Sequence, residues 1–312
     1  MGINQSQQSQ LGQNPMPESL TQLMGMKIVK MDCKRCGGVF DSSEFANGKM
    51  SRLIKLSSSY CPECRGVIHK ERVDREQGIR ALSVAVQRLK WLDQSKIPAR
   101  FITATFDDFD SIHFPNVFRV AKLFAKEFRY SDSRGQRSLY LYSQLPTLGI
   151  GKTYLAASIT HAIVDNWNGE GWDACSSIDC PVLFISEHDF LLDVRASFNH
   201  KYDPKFQTED DIYRRLIGIP LLVIDDIGKR ESGERSGEGA SAFVRDAYWQ
   251  VIDGRYQANL PMVITANYSI DNIKKYLGEP STERIIEMCG DSKNIIELRG
   301  KSKRLINFKD VT

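Results

Sequence analysis

Beyond Ser138 the chain alternates short apolar runs, Leu139–Tyr142, Pro181–Ile185, Pro220–Ile224 and Pro261–Thr265, with longer stretches of helical spacing. Runs without polar alternation are the pattern of parallel strands covered on both faces. The spacing predicts helices over Lys152–Asn166, Glu187–Phe198, Ala240–Tyr256 and Ile270–Leu277. The expected class is therefore α/β, a parallel sheet flanked by helices. Upstream, Ile79, Leu82, Val86, Leu89 and Leu92 recur at three- and four-residue steps, which predicts a helix between Lys70 and Gln94 with Arg80, Arg88 and Lys90 on its back. A second helix is expected from Pro115, with Val117, Val120, Ala121, Phe124 and Phe128 on one face and proline in the favoured first turn.

The polar remainder sets the boundaries. Residues 1–26 hold Gln5, Gln7, Gln8, Gln10, Gln13 and Gln22 among Ser, Asn and Pro, too polar to offset the entropy of ordering, so a disordered tail is expected. Gly228–Gly239, rich in Gly, Ser and both charges, is expected to be a mobile loop. Four segments follow: the tail at 1–26, a four-cysteine domain at 27–70, a linker helix at 71–96 and an ATPase domain at 97–312. No run reaches the roughly eighteen apolar residues a membrane helix needs, and no secretory pattern opens the chain. A cytoplasmic protein of a bacterium or a phage, with no membrane partner, is the expectation. Of 7 cysteines, Cys175, Cys180 and Cys289 are scattered, which suits a reducing compartment. Net charge is +3, and residues 1–80 carry 12 Lys and Arg against 8 Asp and Glu, a mild basic surplus.

Candidate chemistry is concentrated in two places. The stretch LYLYSQLPTLGIGKTYLA is strand, turn-rich loop, then Gly151-Lys152-Thr153 opening a helix, which is phosphate-loop order. Backbone N–H groups of Gly149, Ile150, Gly151, Thr153 and Tyr154 are expected to face phosphates, Lys152 to reach the terminal ones and the Thr153 hydroxyl to sit on Mg2+. The first glycine of the usual loop is replaced by Pro146, which fixes φ and lacks a donor. In PLLVIDDIG, 73 residues after Lys152, a buried strand ends in two carboxylates. Asp225 is expected to hold the magnesium as a Walker B aspartate does, and Asp226 to polarise the attacking water; a helix-capping pair is the simpler use of two aspartates. Asn267, 42 residues beyond Asp225, ends the run PMVITANYS and has two uses: orienting water at the γ-phosphate, or capping a helix. The expected cofactors are ATP and Mg2+.

The second place is Cys33-Lys-Arg-Cys36-Gly and Cys61-Pro-Glu-Cys64-Arg-Gly, with 24 residues between the pairs. Two such pairs complete a tetrahedral, closed Zn2+ site whose work is folding. Free thiols or a redox pair are the alternatives, and His69 is close enough in sequence to substitute as a ligand. Lys27, Lys30, Lys34, Arg35, Lys49, Arg52 and Lys55 suit either DNA or water. Lys229, Arg230 and Arg235 of the glycine-rich loop are conceivable single-strand contacts.

Taken together, GIGKTYLA, LLVIDDIG, VIDGRYQANLPMVITANYS, ERIIEMC and GKSKR resemble the DnaC/DnaI-type helicase-loader ATPases, which are AAA+ P-loop proteins; the IstB transposition helpers are similar. The resemblance runs from about Ile97 to Arg304. It implies ATP bound between associating subunits, with Arg284 of ERIIEMC as an arginine finger offered in trans and Arg304 of GKSKR as a sensor arginine in cis. With 8 residues after Arg304, no C-terminal helical lid is expected. A zinc-ribbon-like domain ahead of the ATPase resembles the Gram-positive type of loader. It implies a replicative hexameric helicase and single-stranded DNA as partners, in initiation or restart of replication. The alternatives are an IstB-like helper of a transposase or recombinase, and a non-hydrolysing, nucleotide-sensing DNA-binding adaptor.

Overall fold

The computed structural model describes residues 26–45, 59–144, 149–171, 180–199, 207–228, 240–290 and 292–300. The polar tail, Lys49, Arg52, Lys55, Pro146, Cys175, the loop lysine and arginines Lys229, Arg230 and Arg235, and Arg304 lie outside the described residues. The chain divides into two compact units at Ala81 and Leu82.

In the first unit, β1 (Met26–Asp32) and β2 (Val39–Phe45) form an antiparallel hairpin, with Asp32 opposite Val39. Its turn is the first cysteine pair: Gly37 N–H donates to Cys33 O, Cys33 N–H donates to Gly38 O, and Gly37 takes a φ of 72° that favours glycine. The second pair opens a helix. Cys61 directly precedes α1 (Pro62–Gln94), Pro62 takes the first helical position and Cys64 lies in the first turn. The helix so begun runs 33 residues, beyond the stretch its apolar spacing predicts.

That spacing also misidentifies the buried face. Ile79, Leu82, Val86 and Leu89 are exposed, Leu89 by 69%, whereas Trp91 is fully buried. Its ring meets Trp167 at 4.5 Å, and Arg88 Nε, on the same side, donates to Trp167 O at 3.0 Å. One large aromatic with a cation beside it decides the face more strongly than a row of smaller aliphatics.

The second unit is a five-stranded parallel sheet in the order β4 (Val182–Ser186), β5 (Leu221–Ile227), β6 (Met262–Ala266), β3 (Leu139–Tyr142), β7 (Ile295–Glu297). Side chains alternate between two cores. Leu139, Leu141 and Val223 pack with α2 (Pro115–Lys126) and α3 (Lys152–Asn166). Tyr140, Leu222 and Ile224 pack with α4 (Glu187–Asn199), α5 (Glu209–Gly218), α6 (Ala242–Ala258), α7 (Ile270–Leu277) and α8 (Glu279–Cys289). This is an α/β arrangement, a parallel sheet flanked by helices, as expected. Phe106 and Phe109 are buried in the first of these cores. Because β6 lies between β3 and β5, the strand leading to Lys152 and the strand ending in Asp225 each abut the strand ahead of Asn267. Chain direction across the sheet reverses beside β3, the place where open α/β sheets bind ligands.

Candidate nucleotide and metal sites

Gly151 starts α3 at φ 107°, a backbone conformation that favours glycine, and a Cβ there would meet the Phe109 ring at 3.4 Å, in ordinary van der Waals contact. Among the described residues no side chain caps this helix at Gly151, and the first N–H groups of a helix have no intrahelical acceptor. Gly149 also has positive φ, 80°. Ile150 is buried in the core, and the Tyr154 ring stacks on Phe109 while its hydroxyl accepts from Thr105 N–H, so both side chains face away from the loop mouth. What those two residues offer an anion is their backbone N–H.

Lys152 is 7% exposed and its Nζ donates to Ser143 Oγ at 2.5 Å and Asn267 Oδ1 at 3.0 Å. The Asn267 amide donates in turn from Nδ2 to Asp226 Oδ1 at 2.7 Å. One residue thus bridges the cation and the carboxylate, using both halves of its amide. The capping role weighed for Asn267 falls to Ser269, whose Oγ accepts from Asn272 N–H at the start of α7.

Asp225 and Asp226 occupy an irregularity of β5, where the pairing with β6 shifts between Ile224 and Ile227. Asp226 takes a left-handed φ of 64°, rare for aspartate. Thr265 holds it there: Oγ1 accepts from Asp226 N–H at 2.8 Å and donates to Asp225 Oδ1 at 2.6 Å. On the other side Gly228 N–H donates to buried Glu187 Oε2 at 2.9 Å, and Glu187 Oε1 accepts from the Tyr248 and Tyr276 hydroxyls. A side chain at Gly228 would fall 2.1 Å from the Tyr268 ring. Burial pushes the Asp225 carboxyl up to about 6, aided by the Asp226 charge and opposed by hydrogen bonds from Thr265 and Thr153 and by Lys152. Thr153 and Asp225 are thus adjacent oxygen donors of the kind a hard divalent cation takes.

The sequence motifs therefore converge for Lys152, Thr153, Asp225, Asp226 and Asn267. Arg284, on α8, stands in a separate hydrogen-bond set: its Nε donates to Asp253 on α6, with its guanidinium 4.4 Å from the Trp249 ring and 5.0 Å from that of Tyr256. Ser143, Thr265 and Glu187 are site residues that the motifs do not single out. Each is a polar residue in or just after an apolar run, which is the one sequence signal they carry.

In the first unit, Sγ atoms of Cys33, Cys36, Cys61 and Cys64 all lie within 4.8 Å of one another, and Cys36 and Cys61 are 3.9 Å apart. A tetrahedron with Zn–S of about 2.3 Å has edges of about 3.8 Å, so the four thiols fit zinc. N–H groups of Cys36 and Cys61 on the Cys33 sulfur hold that thiol down, to about 6, as a thiolate ligand requires. Arg35, inside the first pair, clamps the α1 residue Glu71 through two bonds of 3.0 and 2.7 Å. His69 lies on α1 beyond Cys64, and the four sulfurs need no substitute for it. Purified protein is expected to carry one zinc per chain by elemental analysis. Stripping it with a strong chelator is expected to make residues 26–81 protease-sensitive while the second unit persists; resistance unchanged by stripping would mean that the hairpin folds without metal.

No protein-family model and no curated protein match the sequence. The structure is similar to solved structures of the DnaC helicase loader (20% identity over 61% of this chain and 96% of that one, TM-score 0.46) and of DnaI (20%, 67% and 95%, TM-score 0.43). It is also similar to AMPPCP-bound DnaA from Aquifex aeolicus (14%, 69% and 55%, TM-score 0.42). Among the described residues no helix is long and apolar enough to cross a membrane.

Proposed function

We propose that this chain is an ATPase that loads a hexameric replicative helicase onto single-stranded DNA, the four-cysteine unit gripping the helicase and ATP turnover timing its release. The ATPase half rests on one observation, the hydrogen-bonded run Ser143, Lys152, Asn267, Asp226 at the carboxyl edge of the sheet with Thr153 and Asp225 beside it. The loader half is supported by the sequence resemblance and by a metal-ready unit ahead of the ATPase.

In this reading the N–H groups of Gly149, Ile150, Gly151, Thr153 and Tyr154 receive phosphate oxygens, and Lys152 exchanges Ser143 and Asn267 for the terminal phosphates. Thr153 and Asp225 would hold Mg2+, which would supply charge neutralisation at the phosphates. Asp226 polarises the attacking water, and Asn267, still tied to Asp226 through Nδ2, turns its released oxygen toward the same water. Arg284 of a neighbouring subunit meets the developing γ-phosphate charge, and Arg304 serves in cis.

Steady-state assays test the enzyme half. Lys152→Ala and Arg284→Ala are each expected to lower turnover at least tenfold, and mixing the two to return part of it; turnover surviving both changes would rule out this site. The loader half is tested by pull-down against the host's replicative helicase with ATP present. Full-length protein is expected to retain it and a chain starting at Leu82, which keeps Trp91 and its partners, to lose it. No retention by either would favour a transposase helper or a DNA-binding adaptor.

A further inference from the structure

Arg284 is held by more than its ion pair. Its Nε donates to Asp253 Oδ1, and the guanidinium faces both the Trp249 and the Tyr256 ring. The holders are themselves anchored. Asp253 Oδ2 accepts from Gln257 Nε2 at 2.5 Å, and the Tyr256 hydroxyl donates at 2.6 Å to Glu287 Oε2, one turn beyond Arg284 on α8. Trp249, Asp253 and Tyr256 fall at steps of four and three on α6, so they form one face of that helix.

Two features distinguish this from an ordinary surface ion pair. The pair is largely sheltered, with 28% of the Arg284 side chain and 17% of Asp253 exposed. And Asp253 takes the inner edge of the guanidinium: among the described residues Nη1 and Nη2 find no hydrogen-bond acceptor. A planar cation fixed by its Nε and by two aromatic faces has given up its rotamer freedom before any ligand arrives, while its two-pronged outer edge, the edge that chelates a phosphate, stays available. An arginine that must act from a neighbouring subunit gains most from such prior ordering, because the entropy of placing it is already spent when the subunits meet.

The geometry points to Asp253, with Trp249 and Tyr256, as a positioning cradle that presents Nη1 and Nη2 of Arg284 to a phosphate of the ATP bound by an adjoining copy of this chain. This rests on Arg284 acting in trans, as proposed above. Asp253 touches no substrate; it acts through Arg284.

The test uses full-length Asp253→Ala and Tyr256→Leu with Arg284→Ala as reference. Each cradle variant is expected to lower kcat about tenfold and to leave KM for ATP within about twofold, because the variant subunit's own phosphate loop is unaltered. Mixing Asp253→Ala with Lys152→Ala is expected to recover at least a quarter of wild-type turnover, since the Lys152→Ala subunit has an intact cradle to offer the intact site of its neighbour. General loss of folding would not be repaired by that mixture. Wild-type turnover of Arg284→Ala would sink the finger reading itself. Low turnover of Arg284→Ala beside wild-type kcat in both cradle variants would overturn the cradle alone, as would an Asp253→Ala defect that the mixture does not repair.

Discussion

Arg255→Met is expected to destabilise the protein by about 4 kcal/mol. Arg255, in the last turn of α6, is fully buried, and its Nη1 and Nη2 donate to the carbonyls of Leu216, Ile217, Ile219, Pro220 and Pro261 at 2.5 to 3.3 Å. These acceptors are backbone, so burial without a counter-ion pulls the guanidinium down to about 9, yet it stays charged at neutral pH. Four of the five belong to the end of α5 and the turn into β5, where a helix leaves carbonyls without intrahelical donors. Methionine fills much of the volume and serves none of them. Each orphaned carbonyl costs about 1–3 kcal/mol, less than additively because neighbours relax together. Arg255→Lys is expected to lose about half as much, since an ammonium reaches fewer of the five. Urea melts of the full chain measure both; a loss under 1 kcal/mol for Met would show that water takes over the carbonyls. Because the affected turn feeds β5, the melt is expected to shift as a whole, with an unchanged slope.

The same residue marks the limit of what the sequence discloses. An arginine in a helix with polar neighbours reads as a solvated face, and nothing in the order of residues says that four carbonyls of a distant turn, with that of Pro261, will surround it. The elements that are legible are those whose pattern is local. Leu139–Tyr142, Lys152–Asn166 and Ile270–Leu277 stand where apolar runs and helical spacing place them, because strands buried on both faces have no alternation to confuse. Helix α5 is missed although Thr208 and Asp211 form a capping box and Ile212 and Leu216 make its buried stripe; its ten residues carry three consecutive acidic residues that mask the period. Helix α8 is missed because Gly278 alone separates it from α7, and β7 is too short, at three residues, to show a pattern. At the site, Lys152, Asp225, Asp226 and Asn267 are legible since each closes an apolar run or opens a helix. Thr265, Glu187 and Asp253 are not, because their work is defined by a partner on another element.

Asp225→Asn is expected to make the metal-free protein more stable and to abolish its turnover. The carboxyl is buried, and burial raises its folded-state pKa to about 6 from an ordinary value of 3.8. A carboxyl with a raised pKa binds its proton more tightly folded than unfolded. Its contribution to stability is therefore fully present below the unfolded value and is lost as pH rises through about 6. At pH 7.5 the native chain bears the whole cost of a buried charge, on the order of 3 kcal/mol. Asparagine removes that cost and keeps an oxygen for the Thr265 and Thr153 hydroxyls. With no magnesium added, the variant is expected to melt several degrees above wild type at pH 7.5, with the gain shrinking as pH falls through about 6 and gone only about a unit below the unfolded value of 3.8, where the native carboxyl is protonated in both states. ATP turnover is expected to fall at least a hundredfold, since an amide is a poor magnesium ligand and neutralises nothing. A gain that does not change with pH would mean that packing, not charge, is responsible. Loss of stability at pH 7.5 would mean that Lys152 already compensates the carboxylate without metal. The energetic strain of Asp225 is then the measure of what the site reserves for a cation: the residue least favourable to the empty fold is the one the reaction most requires.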